Sequence, residues 1–213
     1  MKTAIVAGTT GLIGSQLLEL ILKDDYYSEV VALSRKPFQI SNPKFKNLVV
    51  EFDKLHEYSD QLRGNDVYCC MGTTIKVAGS KEAFYKVDHD YPVSLASITK
   101  SQGASQYLII TAMGASKTSS IFYNRVKGEV QEDLLKIGFE STHFFQPSML
   151  SGPRIEKRRG EEMGQAFMRG LGFLIPKKYK IIESIKVARA MLTFAKLQQP
   201  GVKVHDSAEL QNY

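Results

Sequence analysis

Apolar residues fall in two rhythms along this chain. Short apolar runs of five or six residues alternate with longer stretches in which apolar positions recur every three or four. The runs Lys2–Ala7, Glu29–Leu33, Leu48–Phe52, Asp66–Met71, Gln106–Thr111 and Ser141–Phe145 read as buried strands, with a last strand expected at Val202–His205. Between them, Leu12–Lys23 and Phe122–Ile137 carry one apolar stripe each and read as helices. Asp53–Leu62 reads as a short helical piece. Ser80–Gln102 reads as helical with a break at Asp90-Tyr91-Pro92, because proline suits a first helical turn. Glu161–Phe173 and Ser184–Leu197 are further expected helices on either side of Pro176.

Strands alternating with helices predict an α/β protein with a doubly wound, mainly parallel sheet. The 213 residues are expected to form one domain, with residues 147–213 as a small helical cap that shapes a substrate pocket. Hydrophobic residues at 43% and charged residues at 23% suit a packed globular core and exclude a disordered chain.

The turn after the first strand supplies the first chemistry. Gly8-Thr9-Thr10-Gly11-Leu12-Ile13-Gly14 leads from strand to helix with glycine at every third position. Gly8 permits a sharp exit from the strand. Gly11 lets backbone N–H groups approach a pyrophosphate, and Gly14 lets the helix pack close to the sheet. Thr10, Leu12 and Ile13 lie on the same turn, and the helix N-terminus turns its positive dipole end to the phosphates. The same glycines and threonines interrupt the apolar run after Lys2, so a secretory leader is not expected.

The second strand ends at Ser34-Arg35, with no acidic residue there to bind a ribose 2′-hydroxyl. Arg35 offers a planar fork suited to a 2′-phosphate, so NADP is expected rather than NAD. Asp53, or Glu51, is a candidate acceptor for the adenine amino group. Met71-Gly72-Thr73 ends the fourth strand, where glycine lets backbone lie against a ligand. Gln146-Pro147 closes the sixth.

Tyr123 and Lys127 are four residues apart, so they project from one helical face just after the fifth strand. An ammonium beside a phenol favours the phenolate, which suits proton transfer to a carbonyl oxygen during hydride transfer. Thr111, at the end of that strand, adds a hydroxyl.

Charge and cysteine content narrow the partners. The net charge of +6 is spread along the chain, with Lys157-Arg158-Arg159 and Lys177-Lys178 as its clusters. Such a charge suits nucleic acid or merely an anionic cofactor, but Glu161 and Glu162 dilute the first cluster and both read as a solvated face, so nucleic acid is not expected. Cys69 and Cys70 are adjacent and point to opposite faces of a strand, so they do not pair; a cytoplasmic location is expected. No apolar stretch is long enough to span a membrane. His56, His89, His143 and His205 lack metal-ligand spacing, and no metal is expected.

Taken together, Gly8-x-x-Gly11-x-x-Gly14, Arg35, Cys70-Met71-Gly72-Thr73-Thr74, Tyr123-x-x-x-Lys127 and Gln146-Pro147 resemble the short-chain dehydrogenase/reductases. The likeness is to their small atypical or extended-type branch, similar to the Tat-interacting-protein oxidoreductases. Cys69–Thr74, Val87-Asp88-His89-Asp90-Tyr91 and Val126–Val130 carry it most closely. The resemblance implies a Rossmann fold, NADP binding and reductase activity on a small-molecule substrate. Tyr123 would be the acid/base, and Lys127 would tune it and hold the nicotinamide ribose. The chain departs from the family at Thr111-Ala112, where two serines are usual, and at Gln146, where arginine is frequent; Ser116 is a possible stand-in hydroxyl. An NADP(H)-binding regulatory protein with little turnover is the alternative. The oligomeric state stays open between monomer and dimer.

Overall fold

The computed structural model describes residues 2–152 and 176–213. Its centre is a seven-stranded sheet in the order β3-β2-β1-β4-β5-β6-β9, with every neighbouring pair parallel. The strands are β1 (Lys2–Ala7), β2 (Tyr27–Ser34), β3 (Phe45–Val49), β4 (Asp66–Cys69), β5 (Gln106–Ile110), β6 (Ser141–Gln146) and β9 (Gly201–Asp206). A second, two-residue parallel pair joins β7 (Leu150–Ser151) to β8 (Ile182–Glu183). The doubly wound α/β fold is that expected from the alternating rhythms.

Strand alternation divides the core into two layers. Ala4 and Val6 of β1 belong to the layer built from α1 (Leu12–Lys23) and α6 (Ser184–Leu197), which pack against each other on that face of the sheet. Ile5 and Ala7 face the other layer, built from α4 (Tyr91–Ser101) and α5 (Phe122–Ile137). Cys69 and Cys70 fall on opposite layers and are both free thiols.

Three expectations shift. The third strand lies at Phe45–Val49, not Leu48–Phe52. Asn47 anchors it there, donating from Nδ2 to the Ala32 carbonyl (3.0 Å) and to Ser34 Oγ (2.8 Å). The chain then leaves the sheet into a 3₁₀ segment, Phe52–Gln61. The break expected at Asp90–Pro92 is a π-helical turn, Lys86–Asp90, joining α3 (Lys81–Tyr85) to α4. Pro92 has no N–H to bond back to the turn before it, which loosens the ladder there. The short α2 (Ile75–Ala78) and α7 (Ser207–Leu210) were not expected. The expected helix Glu161–Phe173 lies outside the described residues.

The C-terminal stretch is also more than a cap. Val187, Ala188, Met191 and Ala195 of α6 are fully buried in the layer with Leu17 and Ile21 of α1, and β9 extends the main sheet. Among the described residues of this stretch, Pro147–Leu150 line the cleft at the sheet's ligand edge.

Candidate active site

The carboxyl ends of β1, β4, β5 and β6 open onto one cleft of about 760 Å³. Parallel strands put all their carboxyl ends on one rim, so four loops distant in sequence meet there. Of the residues singled out in the sequence, Thr10, Gly11, Leu12, Ile13, Met71, Gly72, Thr73, Thr111, Tyr123, Lys127 and Pro147 line it.

Gly8 and Gly14 lie beneath this surface and serve packing. Gly8 has φ of +81°, and a Cβ there would fall 2.5 Å from the Cys70 carbonyl. A Cβ on Gly14 would fall 2.1 Å from the Gly8 oxygen, so α1 sits directly on the turn. Gly11 caps α1 without any side-chain hydrogen bond, and the first turn holds no acidic residue. The Gly11 N–H bonds to the Gly8 carbonyl at 3.0 Å, whereas the N–H groups of Leu12 and Ile13 have no acceptor among the described residues, which suits a bound diphosphate. In the same turn the buried Thr9 hydroxyl has no hydrogen-bond partner among the described residues.

Tyr123 and Lys127 share one face of α5, as their spacing demands. Lys127 is buried, and its Nζ lies 2.7 Å from Asp88 Oδ1, an oxygen that is 1% exposed with the rest of its side chain. Burial works against the ammonium charge, but Asp88 outweighs it and, with Tyr123 alongside, holds Lys127 above the ordinary lysine range. The other Asp88 oxygen accepts the Thr73 backbone N–H at 2.8 Å. A Cβ on Gly72 would sit 3.4 Å from Asp88 Oδ1 and 3.7 Å from Lys127 Nζ, so the missing side chain leaves the pair open to the cleft. Tyr123 packs its ring 5.6 Å from that of Phe84.

Other expected residues have different duties. Ser34 is buried and saturated: its hydroxyl donates to the Lys36 carbonyl (2.7 Å) and accepts from Asn47, so it shapes the turn. Arg35, beside it, is exposed, with no ion pair or hydrogen bond among the described residues. Asp53 does not line the cleft. Lys86 (2.6 Å) and Tyr91 (3.0 Å) both reach its Oδ1, and the lysine holds its carboxyl below the usual range. Gln146 lies behind the rim, with Nε2 3.5 Å from Gln131 Oε1. Ser116 pairs with Thr118 at 3.0 Å, outside the cleft.

Thr111 is placed but not free. Its hydroxyl accepts from Gln131 Nε2 at 2.7 Å and donates to the Phe145 carbonyl at 3.3 Å. Two residues of this constellation escaped the sequence reading. Gln131 had a signal, since 123, 127 and 131 run down one helical face at steps of four. Asp88 lay in the segment Val87–Tyr91 that carried the family likeness, but its spacing gave no sign of a lysine partner.

No protein-family model matches the chain. Among characterised proteins it is 33% identical over 210 residues to HTATIP2 of Rattus norvegicus, covering 94% of this chain and 83% of that protein. It is 33% identical over 168 residues to the mitochondrial protein fmp52 of Aspergillus clavatus, covering 76% of this chain and 72% of that one. The solved structure of MoeE5 in complex with UDP-glucose and NAD superposes with a TM-score of 0.74 at 14% identity, covering 98% of this chain and 79% of that one. The last likeness is one of fold. The expected cytoplasmic location is overturned: fungal relatives from Aspergillus and Candida are named as mitochondrial proteins. Among the described residues no helix is long and apolar enough to cross a membrane.

Proposed function

The chain belongs to the HTATIP2-like branch of the short-chain dehydrogenase/reductases, and from that premise we propose that it is an NADP(H)-dependent oxidoreductase acting on a small carbonyl or alcohol. The observation that carries this reading is one cleft shared by the uncapped N-terminus of α1 and the Tyr123–Lys127 face of α5. Gly11, Leu12 and Ile13 would hold the diphosphate, Gly72 and Thr73 would lie along the cofactor, and Arg35 would hold a 2′-phosphate. A reduced nicotinamide, when bound, supplies the hydride for the new C–H bond and is oxidised.

The chain's own part is the proton. As the carbonyl π bond breaks, the Tyr123 hydroxyl gives its proton to the oxygen, and solvent later restores it. Lys127 keeps its charge beside the phenolate so formed, and Asp88 fixes Lys127 in place.

A second reading, a redox-sensing protein with little turnover, draws on two specific contacts. The Thr111 hydroxyl is committed to Gln131 and Phe145, and the Lys127 charge is shared with Asp88. Under this reading these commitments would hold back proton transfer to a carbonyl. Tyr123→Phe separates the readings. It should bind NADPH as the wild type does and reduce carbonyls roughly 10²–10⁴-fold more slowly, the usual contribution of general acid catalysis. An active wild type that loses no rate in Tyr123→Phe would sink the enzyme reading. A wild type that binds NADPH but oxidises it with no carbonyl favours the sensor. In the same titrations NADPH should bind more tightly than NADH, and Arg35→Ala should erase most of the difference.

A further inference from the structure

Strand order splits the cleft into two halves. The glycine turn and Gly72–Thr74 follow the neighbouring strands β1 and β4, whereas Ile110 ends β5, Thr111–Met113 follow it, and Pro147–Leu150 follow β6. The first half offers backbone N–H groups and hydroxyls. The second offers Ile110, Ala112, Met113, Pro147, Met149 and Leu150, with Met113 37% and Met149 47% exposed. Unbranched thioethers adapt to apolar ligands of varied shape.

Hydroxyls on that second half are already engaged. Thr111 accepts from Gln131 and donates to Phe145. Ser148 donates to the Lys180 carbonyl and accepts from Ser207 at 2.9 Å. Each hydroxyl has one proton to donate, and both are spent. Tyr123, by contrast, lines the cleft, and its hydroxyl makes no hydrogen bond among the described residues. A polyhydroxylated or charged ligand seated on that second half would lose its water without gaining a free side-chain hydroxyl donor among the described residues.

We propose that the substrate is an uncharged, apolar molecule carrying a single carbonyl, or a single hydroxyl in the reverse direction, with its oxygen on Tyr123 and its body against Met113, Met149 and Leu150. The proposal rests on the oxidoreductase reading for the reaction, but ligand preference is measurable without turnover. It also sets this chain apart from MoeE5, whose solved complex holds UDP-glucose.

The test uses full-length protein saturated with NADPH and matched probes: benzaldehyde against 4-carboxybenzaldehyde, a medium-chain methyl ketone against the keto acid of equal length, and UDP-glucose. Binding is read by calorimetry or ligand-observed NMR, and reduction by NADPH absorbance. The neutral member of each pair should bind at least about tenfold more tightly, a gap of ~1.4 kcal/mol, and UDP-glucose should not compete with it. Met149→Lys and Met113→Lys should each move the preference towards the carboxylate. Equal or tighter binding of the charged probes or of UDP-glucose overturns the proposal. So does an unchanged preference in both lysine variants, because the ligand would then sit elsewhere. Neutral probes that bind with the expected preference but are never reduced would instead defeat the oxidoreductase reading and leave the ligand class standing.

Discussion

A lysine with 4% of its side chain exposed would ordinarily shed its proton, because a low-dielectric surround penalises the ammonium. Lys127 keeps it because Asp88 lies 2.7 Å away. Asp88→Asn tests that pair: the amide oxygen can still accept the Thr73 N–H, but its NH2 then faces the Lys127 ammonium, so the charge and the hydrogen bond to Lys127 are lost together. A buried charge left without its partner costs about 3–5 kcal/mol, so the variant should unfold at markedly lower urea at neutral pH. The sign with pH follows from the raised folded-state pKa. The pair's contribution is fully present below the unfolded lysine value of about 10.4 and is lost as pH rises through the folded one. Alkaline titration of stability should therefore destabilise the wild type and spare Asp88→Asn. Equal urea midpoints for the two proteins at neutral pH would show the pair to be energetically idle. Tyr123 and Lys127 were legible in the sequence because their partnership is local to one helix. Asp88 was not, because it reaches Lys127 from a π-helical turn far away in the chain, and no spacing rule connects the two.

Elements defined by strong local signals were read to the residue. α1 starts where the glycine turn ends and runs to Lys23, and α5 and α6 kept their expected limits. The edge strand β3 moved by three residues because side-chain bonds from Asn47, not apolar alternation, set its position. Pairing between strands was the larger omission. His143 and His205 look unrelated in sequence, yet β6 and β9 run side by side and put Nδ1 of the first 2.8 Å from Nε2 of the second. Ser141 meets His143 at 2.9 Å, and Glu209 on α7 meets His205 at 3.0 Å. The rings stack on one another and on Phe145 and Phe194. Burial, with the charges of His205 and Lys203 behind it, pushes His143 down to about 4. Burial also lowers His205, against the pull of Glu209. Both folded-state values lie below the unfolded one, so the unfolded chain takes up more protons between about pH 6.5 and 4. Stability should be full above that window and fall as pH drops through it. Melting temperatures from pH 7.5 to 4 should show this decline, and His143→Gln, which keeps hydrogen-bonding capacity without the titration, should flatten it. Parallel declines in the two proteins would place the acid sensitivity elsewhere.

At the scale of the molecule, periodicity told which face of a helix is apolar but not which surface that face covers. That is why α6 was expected over the pocket and is found in the core. Val187, Ala188, Met191 and Ala195 pack on the α1 layer, and Gln106 Nε2 bridges buried Asp66 (2.9 Å) to the Ala195 carbonyl (3.0 Å). Phe145 of β6 is in turn covered by Phe194 at 6.1 Å between ring centres. Emptying a single large buried site costs about 2–5 kcal/mol, against a total stability of about 5–15 kcal/mol for a whole domain. Deleting α6 strips several such sites at once from α1 and from β6. A chain ending at Gly152 should therefore fail to fold, although it retains the glycine turn, Tyr123 and Lys127. Circular dichroism and one-dimensional NMR would show this directly. The full-length protein should unfold in one transition, and a hundredfold excess of NADPH over its Kd should raise that transition as a unit, by about 2.7 kcal/mol. A truncated chain that folds and binds NADPH would instead make the C-terminal stretch a separable part, and the single-domain reading would fall.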